Sequence, residues 1–256
     1  MFQEHFYGKN VHIVNSPLMH SWLAQLGAST TEQPLVDELV STLYSSLFDT
    51  VIDHVFPKKM MTIDTRMKMF HPEGFLEGEF IDRDTPAVTV GLARAGTLPS
   101  QLCYRKMNYL LNPKIVRQDH FYISRVVNEK NEVTGVSVAG SKIGGGVDNA
   151  VVIFPDPMGA TGGTIVEAVK HYQSLGKPKA LVALHLIITP EYLAKVTKEC
   201  PELQVFALRL DRGLSPADVL KEVPGKRWKE EIGLNSHQYI VPGAGGVGEI
   251  LNNSYC

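Results

Sequence analysis

The chain has 256 residues, 44% of them hydrophobic, and a formal net charge of −2 at pH 7. This length can bury one large core, and the near-neutral charge argues against a dedicated nucleic-acid binder, which would carry a basic excess. The three cysteines lack metal-ligand or disulfide spacing, and the sequence has neither a signal-peptide core nor an apolar run of membrane-spanning length. We therefore predict a cytoplasmic protein with reduced thiols and with no membrane or nucleic-acid partner. Local cations could still hold a small anionic substrate.

The amino-terminal third predicts an edge strand, a long helix and a surface segment. Val11–Val14 forms the strand, and Thr30 or Thr31 caps the helix, with Pro34 near its first turn. Lys58–Met69 is basic and rich in methionine, which indicates surface with a short strand. The helix carries an apolar stripe whose spacing favours core packing. Its members are Leu35, Leu39, Leu43, Leu47, Val51 and Val55.

Beyond residue 85, apolar β-branched runs alternate with helical segments. The predicted strands are Ala87–Leu92, Asp119–Ser124, Ala150–Phe154, Ala180–Ile188 and Gln204–Leu208. Helices are expected after the first and third of these strands and at Pro190–Cys200. This alternation predicts an α/β fold with a parallel central sheet and helices on both faces. Ligands of such sheets bind at the carboxyl ends of the strands. His185, inside an apolar strand, is expected to be a hydrogen-bonded core histidine.

The segment Val151–Thr164 has the composition of an anion site. A buried strand is followed by Asp156 and then by two adjacent glycines, which let a ligand approach the main chain closely. Thr164 is expected to open a helix, with Glu167 completing a capping box. Free N–H groups and the helix dipole then point at the ligand. The acid just before the turn suits ribose hydroxyls.

Two further segments suggest substrate contacts. The turn around Arg94 repeats the order of strand, small-residue turn and helix, and it adds a cation. Tyr239–Glu249 is a loop rich in glycine and proline near the carboxyl terminus. Between them, Arg125–Ile143 is a polar segment that is followed by three glycines, Gly144, Gly145 and Gly146.

The segment Val151–Thr164, the Arg94 turn and the Tyr239–Glu249 loop resemble motifs of one enzyme family. The string Val151–Thr164 resembles the phosphoribosyl-pyrophosphate (PRPP) motif of type I phosphoribosyltransferases, and its Asp-Pro-Met sequence resembles the uracil phosphoribosyltransferase branch. The Arg94 turn resembles the turn that holds pyrophosphate in those enzymes. The Tyr239–Glu249 loop resembles their uracil-binding loop, in which backbone groups match the acceptor, donor and acceptor of the uracil edge. Buried readout of this kind rejects cytosine.

The resemblance implies a fold, a reaction and a set of site residues. It implies the type I phosphoribosyltransferase fold, as a single domain over residues 1–256. The core lies at about 85–210, and a small hood with the base-binding loop comes from 1–30 and 211–256. The reaction is uracil plus PRPP giving UMP and pyrophosphate, with Mg²⁺ carried by the diphosphate and no direct protein ligand. A homodimer or higher even assembly is also implied.

The site residues that the resemblance implies fall into three groups. The catalytic residues are Asp156 and Arg94. The PRPP-binding residues are Arg94, Gly96, Arg125, Asp156, Pro157, Met158, Gly159, Ala160, Thr161, Gly162, Gly163 and Thr164. The uracil-binding residues are Tyr239, Ile240, Gly245, Gly246 and Val247. Lys142 stands with Arg125 in the segment where family members carry basic residues on a hairpin that closes over PRPP.

Departures from the family pattern keep two other functions open. The first aspartate of the family loop is Gly246 here, and the second is Glu249. Ser215–Gly233 is a polar insertion, and the family's amino-terminal motif is not evident near Tyr44–Val51. The loss of the aspartate favours a catalytically weakened protein that senses nucleotides. A transferase for a different base is the other alternative.

Overall fold

A computed structural model describes residues 2–127 and 133–254, and within them it shows an eight-stranded, mostly parallel sheet. Eight of the ten strands in these residues belong to this sheet, and β2 and β3 do not. The ten strands are β1 (Val11–Ile13), β2 (Lys58–Asp64), β3 (Phe75–Ile81), β4 (Ala87–Ala93), β5 (Val116–Val127), β6 (Val133–Lys142), β7 (Val151–Pro155), β8 (Met158–Gly159), β9 (Ala180–Ile188) and β10 (Gln204–Leu210). The order across the sheet is β1-β10-β9-β7-β4-β5-β6, and β8 pairs with β9. β6 runs antiparallel to β5, so the predicted parallel sheet carries one antiparallel edge.

Helices cover both faces of this sheet, which confirms the predicted α/β class. They are α1 (Pro17–Leu26), α2 (Leu35–Val55), α3 (Thr97–Leu110), α4 (Gly163–Gln173), α5 (Pro190–Glu199), α6 (Ala217–Leu220) and α7 (Val247–Asn252). One core cluster joins the first three helices to the sheet, and a second joins α4 and α5 to the opposite face. A buried leucine or phenylalanine side chain contributes about 1.5–3 kcal/mol, so both faces stabilise the sheet.

The long amino-terminal helix forms as predicted, but it begins later than expected. α2 starts at Leu35 behind Pro34, and no side chain caps it. Thr31 lies beyond the end of α1, and its hydroxyl instead donates to Gln25 O in the last turn of that helix, over 2.5 Å. The predicted cap was therefore wrong, and α1 was not predicted. Across the described residues, no helix is both long and apolar enough to cross a membrane.

The register of the parallel strands brings their carboxyl ends to one edge. Ala87 pairs with Val151, and Val151 pairs with Ala180. After β7 the chain continues in the same direction, because the short β8 pairs in parallel with Ile187 and Ile188 at the end of β9. The turns after β4, β7 and β9 consequently lie beside one another.

A hairpin of β2 and β3, residues 58–81, forms a separate two-stranded sheet. We call it the arm. The surface strand predicted for Lys58–Met69 is confirmed. The arm exposes large apolar side chains, namely Met60, Ile63, Met67, Met69, Phe70, Phe75 and Leu76.

Candidate active site

A cavity of about 660 Å³ opens at the carboxyl ends of β4 and β7. The turn after β4, the loop after β7 and the segment that leads into α7 line it. Thirteen of the predicted site residues lie on its wall: Arg94, Asp156, Met158, Gly159, Ala160, Thr161, Gly162, Thr164, Tyr239, Ile240, Gly245, Gly246 and Val247. The structure therefore brings three segments that are distant in sequence to one place.

The loop after β7, residues 156–162, ends in a helix start suited to an anion. Gly162 has φ of 80°, a left-handed conformation that favours glycine, and α4 begins directly after it. The first N–H groups of a helix have no intrahelical partner. Those of Gly163 and Thr164 form no hydrogen bond with any described residue. Together with the helix dipole, they suit a phosphate group. We call residues 156–164 the phosphate loop.

The helix start corrects one detail of the sequence analysis. α4 begins at Gly163, one residue before Thr164, and no side chain caps it. The predicted capping box between Thr164 and Glu167 is therefore absent. The difference has a physical reason: the left-handed Gly162 already turns the chain into the helix.

Asp156 lies half-buried on the cavity wall, where β7 ends. Its backbone N–H donates to Leu184 O over 3.0 Å, and its Oδ1 accepts from the N–H of Met158 at 3.4 Å. The next carbonyl, that of Pro157, accepts from two N–H groups of β9. The backbone is thus held against β9, while the carboxylate lines the cavity. A fixed carboxylate can accept hydrogen bonds from sugar hydroxyls.

The turn after β4 places a cation on the cavity wall. Arg94 is exposed, and its Nη1 donates to Ser254 O and Oγ at 3.0 and 2.7 Å. Gly96 lies beneath the turn and does not line the cavity. A Cβ at Gly96 would stand 2.6 Å from Pro155 O and 2.8 Å from Leu92 O, so only glycine lets the turn pack this closely against the end of β7.

The carboxy-terminal loop is held by a buried ion pair. Asp211 is 2% exposed, and it accepts two hydrogen bonds from Arg209, at 2.6 and 2.8 Å. The same two side chains bind both backbone groups of Gly243, over 2.7 and 2.9 Å. Leu234 and Ile240 form an antiparallel bridge at the start of the loop. The backbone that lines the cavity at Tyr239–Val247 is therefore anchored on both sides. We call residues 233–247 the base loop.

The space beside Gly246 is filled by another acidic side chain. A Cβ at Gly246 would overlap the carboxylate of Glu249 and would lie 3.0 Å from its Cδ. Glu249 also lines the cavity, together with Asp156 and Arg94. A carboxylate from the first turn of α7 therefore lies beside Gly246.

Three of the predicted residues whose side chains the structure describes do not line the cavity. Gly96, Pro157 and Gly163 support its walls from the backbone. Arg125 lies on β5, but its side chain lies outside the described residues, as do residues 128–132 of the predicted hairpin. Lys142 ends β6 and is exposed. The strands on either side of that gap pair as an antiparallel hairpin.

Other lining residues were missed by the sequence analysis. Tyr122, Tyr192, Gln238 and Glu249 all border the cavity. Tyr122 and Tyr192 belong to no local motif, and only the strand register brings them to the site. Glu249 was noted as a departure from a pattern, and this was the one signal that could have identified it.

A family model described as uracil phosphoribosyltransferase matches residues 13–225. The chain belongs to the uracil phosphoribosyltransferase family. This membership confirms the resemblance and the type I phosphoribosyltransferase fold expected from it. The matched residues include the Arg94 turn and the phosphate loop, but they end before the base loop.

Named relatives in the uracil phosphoribosyltransferase family are similar at modest identity. A uracil phosphoribosyltransferase of Dictyoglomus turgidum is 25% identical over 241 residues, which is 94% of this chain and 98% of that protein. One from Thermococcus sibiricus is 32% identical over 98 residues, but the chain covers only 34% of its length. A solved protein structure from Aquifex aeolicus matches with a TM-score of 0.69 and 18% identity, over 94% of this chain and 97% of that chain. That similarity concerns the fold alone.

Proposed function

We propose that this protein transfers the phosphoribosyl group of PRPP to uracil, forming UMP and pyrophosphate. One observation carries the proposal: the phosphate loop, Arg94 and the base loop face a single cavity of about 660 Å³. Cavities of about 300–1,000 Å³ are typical of small-molecule sites. Arg94 matches the diphosphate of PRPP, and the helix start after the phosphate loop matches its 5′-phosphate. The backbone groups of the base loop match the base.

Each part of the cavity would hold one part of the reactants. The N–H groups at Thr161–Thr164 bind the 5′-phosphate, and Asp156 accepts hydrogen bonds from the ribose hydroxyls. Arg94 binds the diphosphate, exchanging its contact with Ser254 for the substrate. The backbone at Ile240 and Gly245 reads the uracil edge. Buried groups paired in this way discriminate strongly against a base with the wrong pattern.

The chemistry requires alignment more than a strong base. The bond from ribose C1 to the diphosphate oxygen breaks, and the diphosphate leaves with the electron pair. The uracil nitrogen attacks C1 from the opposite face and loses its proton to solvent. Hydrogen bonds to the uracil carbonyls acidify that nitrogen. The protein contributes by holding both reactants in line and by stabilising the departing charge.

The donor set on the cavity wall fits a magnesium ion that arrives with the substrate. Among the described residues, no three His, Cys, Asp or Glu side chains converge to form a metal site. Asp156 and Glu249 place carboxylate oxygens on the wall, which could contact such an ion through its own water shell. Mg²⁺ usually takes one or two carboxylates and fills its remaining positions with water and phosphate oxygens. When bound, it would neutralise diphosphate charge.

Product analysis tests the proposal directly. The purified protein is incubated with PRPP, Mg²⁺ and one of uracil, cytosine, adenine or hypoxanthine, and nucleotides are separated by chromatography. We expect UMP with uracil and no nucleotide with the other bases. A nucleotide formed from another base would replace uracil as the substrate. UMP binding without any product would instead favour a nucleotide-sensing regulator, the alternative to which Gly246 points. The cytoplasmic location and the even-numbered assembly stay predictions.

A further inference from the structure

The phosphate loop rests directly on the corner between β9 and α5. Thr189 donates its hydroxyl to Ala160 O at 2.6 Å and its N–H to Gly159 O at 3.2 Å. A Cβ at Gly159 would lie 2.9 Å from the Ile188 side chain and 3.2 Å from the Tyr192 ring. The absence of a side chain at this glycine therefore lets the loop sit against the corner.

A buried chain of hydrogen bonds connects the same corner to Asp156. The hydroxyl of Tyr192 lies 2.6 Å from His185 Nε2, and His185 Nδ1 lies 2.5 Å from Asp156 O. Both side chains are fully buried. Burial lowers the pKa of His185 to about 4, so its imidazole is neutral at pH 7. Since a carbonyl only accepts, Nδ1 donates to Asp156, and Nε2 accepts from Tyr192. The predicted core histidine is therefore confirmed, and it links α5 to the site.

The opposite side of the corner holds the base loop. Glu191 accepts from the N–H of Gly233 at 2.9 and 3.2 Å, and from that of Leu234 at 3.2 Å. Leu234 in turn bridges Ile240 on the cavity wall. Pro190 O accepts from Trp228 Nε1 of the insertion at 3.0 Å. Consecutive residues of one corner thus contact two loops that are about 75 residues apart in the chain.

We propose that the corner Thr189–Tyr192 is a positioning element that sets the phosphate loop and the base loop relative to each other. Tyr192 acts on the PRPP half through His185 and Asp156, and Glu191 acts on the base half through Gly233 and Leu234. In-line transfer needs both reactants within a few tenths of an ångström of their places. The inference rests on the proposed function, since it assigns the two loops to the two substrates.

Two conservative variants test the PRPP half and the base half of the site separately. Tyr192→Phe removes only the hydroxyl, and we expect KM for PRPP to rise about fivefold while KM for uracil stays within about twofold. Glu191→Gln weakens the charged hydrogen bonds to the base loop, and we expect the reverse pattern. Tyr172→Phe is the matched control, because Tyr172 is equally buried and donates to Asp119 over 2.9 Å, away from both loops. It should change neither KM.

A binding measurement keeps the inference separate from the proposed function. Titration calorimetry with ribose 5-phosphate measures the PRPP half without any turnover. If the wild-type protein forms no UMP, the proposed function fails, yet Tyr192→Phe should still weaken ribose 5-phosphate binding while Glu191→Gln leaves it unchanged. If Tyr192→Phe does not fold, Thr189→Val against Thr189→Ser provides the same comparison, because only serine keeps the hydroxyl. Equal losses of both substrates in both variants, or a Tyr192→Phe protein indistinguishable from Tyr172→Phe, would overturn the inference.

Discussion

At the scale of single residues, Asp156 joins the end of β7 to the phosphate loop, and its carboxylate faces the cavity. We expect Asp156→Asn to lower kcat/KM by about 10- to 100-fold, because a charged acceptor to the ribose is worth about 1.5–3 kcal/mol. Steady-state kinetics measure the loss, and an unchanged thermal midpoint shows that the fold is intact. Glu167→Gln, an exposed carboxylate on α4, serves as the control. Near-normal kinetics in Asp156→Asn would remove the ribose assignment.

Gly246 and Glu249 offer a test of whether one carboxylate has replaced another. The sequence alone predicts nucleotide binding with weakened catalysis, which Gly246→Asp should raise, unless Glu249 or the insertion substitutes for the missing acid. Because Glu249 already fills the space beside Gly246, we now expect Gly246→Asp alone to bring no gain. We expect Glu249→Gln to lower turnover about tenfold and Gly246→Asp to recover much of it in the Glu249→Gln background.

Steady-state rates and UMP affinity are measured side by side in the wild type, the two single variants and the double variant. They decide whether Glu249 has taken over the role of the missing aspartate. A gain from Gly246→Asp in the wild-type background would restore the idea that a missing carboxylate limits the enzyme. No recovery in the double variant would show that the aspartate cannot take over the place of Glu249.

Residue-level prediction succeeded where chemistry is encoded locally. The order of strand, acid, glycines and helix identified Asp156 and the phosphate loop, because each of these residue types has its own backbone or charge requirement. Tyr192 and Glu191 lay beyond such reasoning. The pairing of β7 with β9 brings Tyr192 to Asp156 through His185. Glu191 meets Gly233 from 42 residues away in the chain, and no local pattern marks that contact.

At the scale of elements, the insertion predicted at Ser215–Gly233 is built around a buried ion pair. Glu231 has no exposed side-chain area, and it accepts from Arg212, from the N–H of Gly225 and from the hydroxyl of Tyr7. Trp228 also packs edge-on against Tyr7. The insertion is therefore a packed part of the molecule, tied to the amino-terminal segment.

Neighbouring glutamates of the insertion provide a stability test. Glu231→Gln leaves Arg212 without its charged partner, and we expect the free energy of unfolding to fall by about 3 kcal/mol. Glu230→Gln removes a carboxylate whose side chain is 51% exposed and pairs with Arg227, and we expect a much smaller loss, because exposed ion pairs contribute little to stability. Urea denaturation measures both. Equal losses in the two variants would contradict a structural role for the buried pair.

Helix boundaries were the least predictable element-level feature. α2 starts behind Pro34 and α4 starts behind a left-handed Gly162, without side-chain caps in either case. Capping residues such as Thr31 were present in the sequence but bond elsewhere. The strands were easier to predict because a run such as Ala180–Ile188 is buried on both faces and shows a continuous apolar signature.

At the scale of the whole molecule, the large apolar side chains divide between the core and the arm. The apolar stripe of α2 packs mostly inside the core of its own chain, as its spacing predicts. The exposed apolar side chains cluster instead on the arm, where Met69 is 86% and Phe70 is 72% exposed. Exposed apolar patches of this kind mark interaction surfaces.

We expect the protein to form a homodimer or a higher even assembly, and to use the arm in doing so. Met69→Ser with Phe70→Ser should shift the assembly toward monomer in light scattering, without changing the thermal midpoint of the monomer. Tyr109→Ser, which alters a tyrosine that is 90% exposed on α3, is the control for apolar exposure outside the arm. A wild-type protein that is monomeric at micromolar concentration would refute the prediction.

The methionines of the arm have a practical consequence. Peroxide converts an accessible thioether to a sulfoxide, which makes an apolar side chain polar. Met60, Met67 and Met69 are more than half exposed, whereas Met107 is fully buried in the core. The sulfoxide mass increment at these sites, read against Met107, therefore reports how much of the arm is covered in solution.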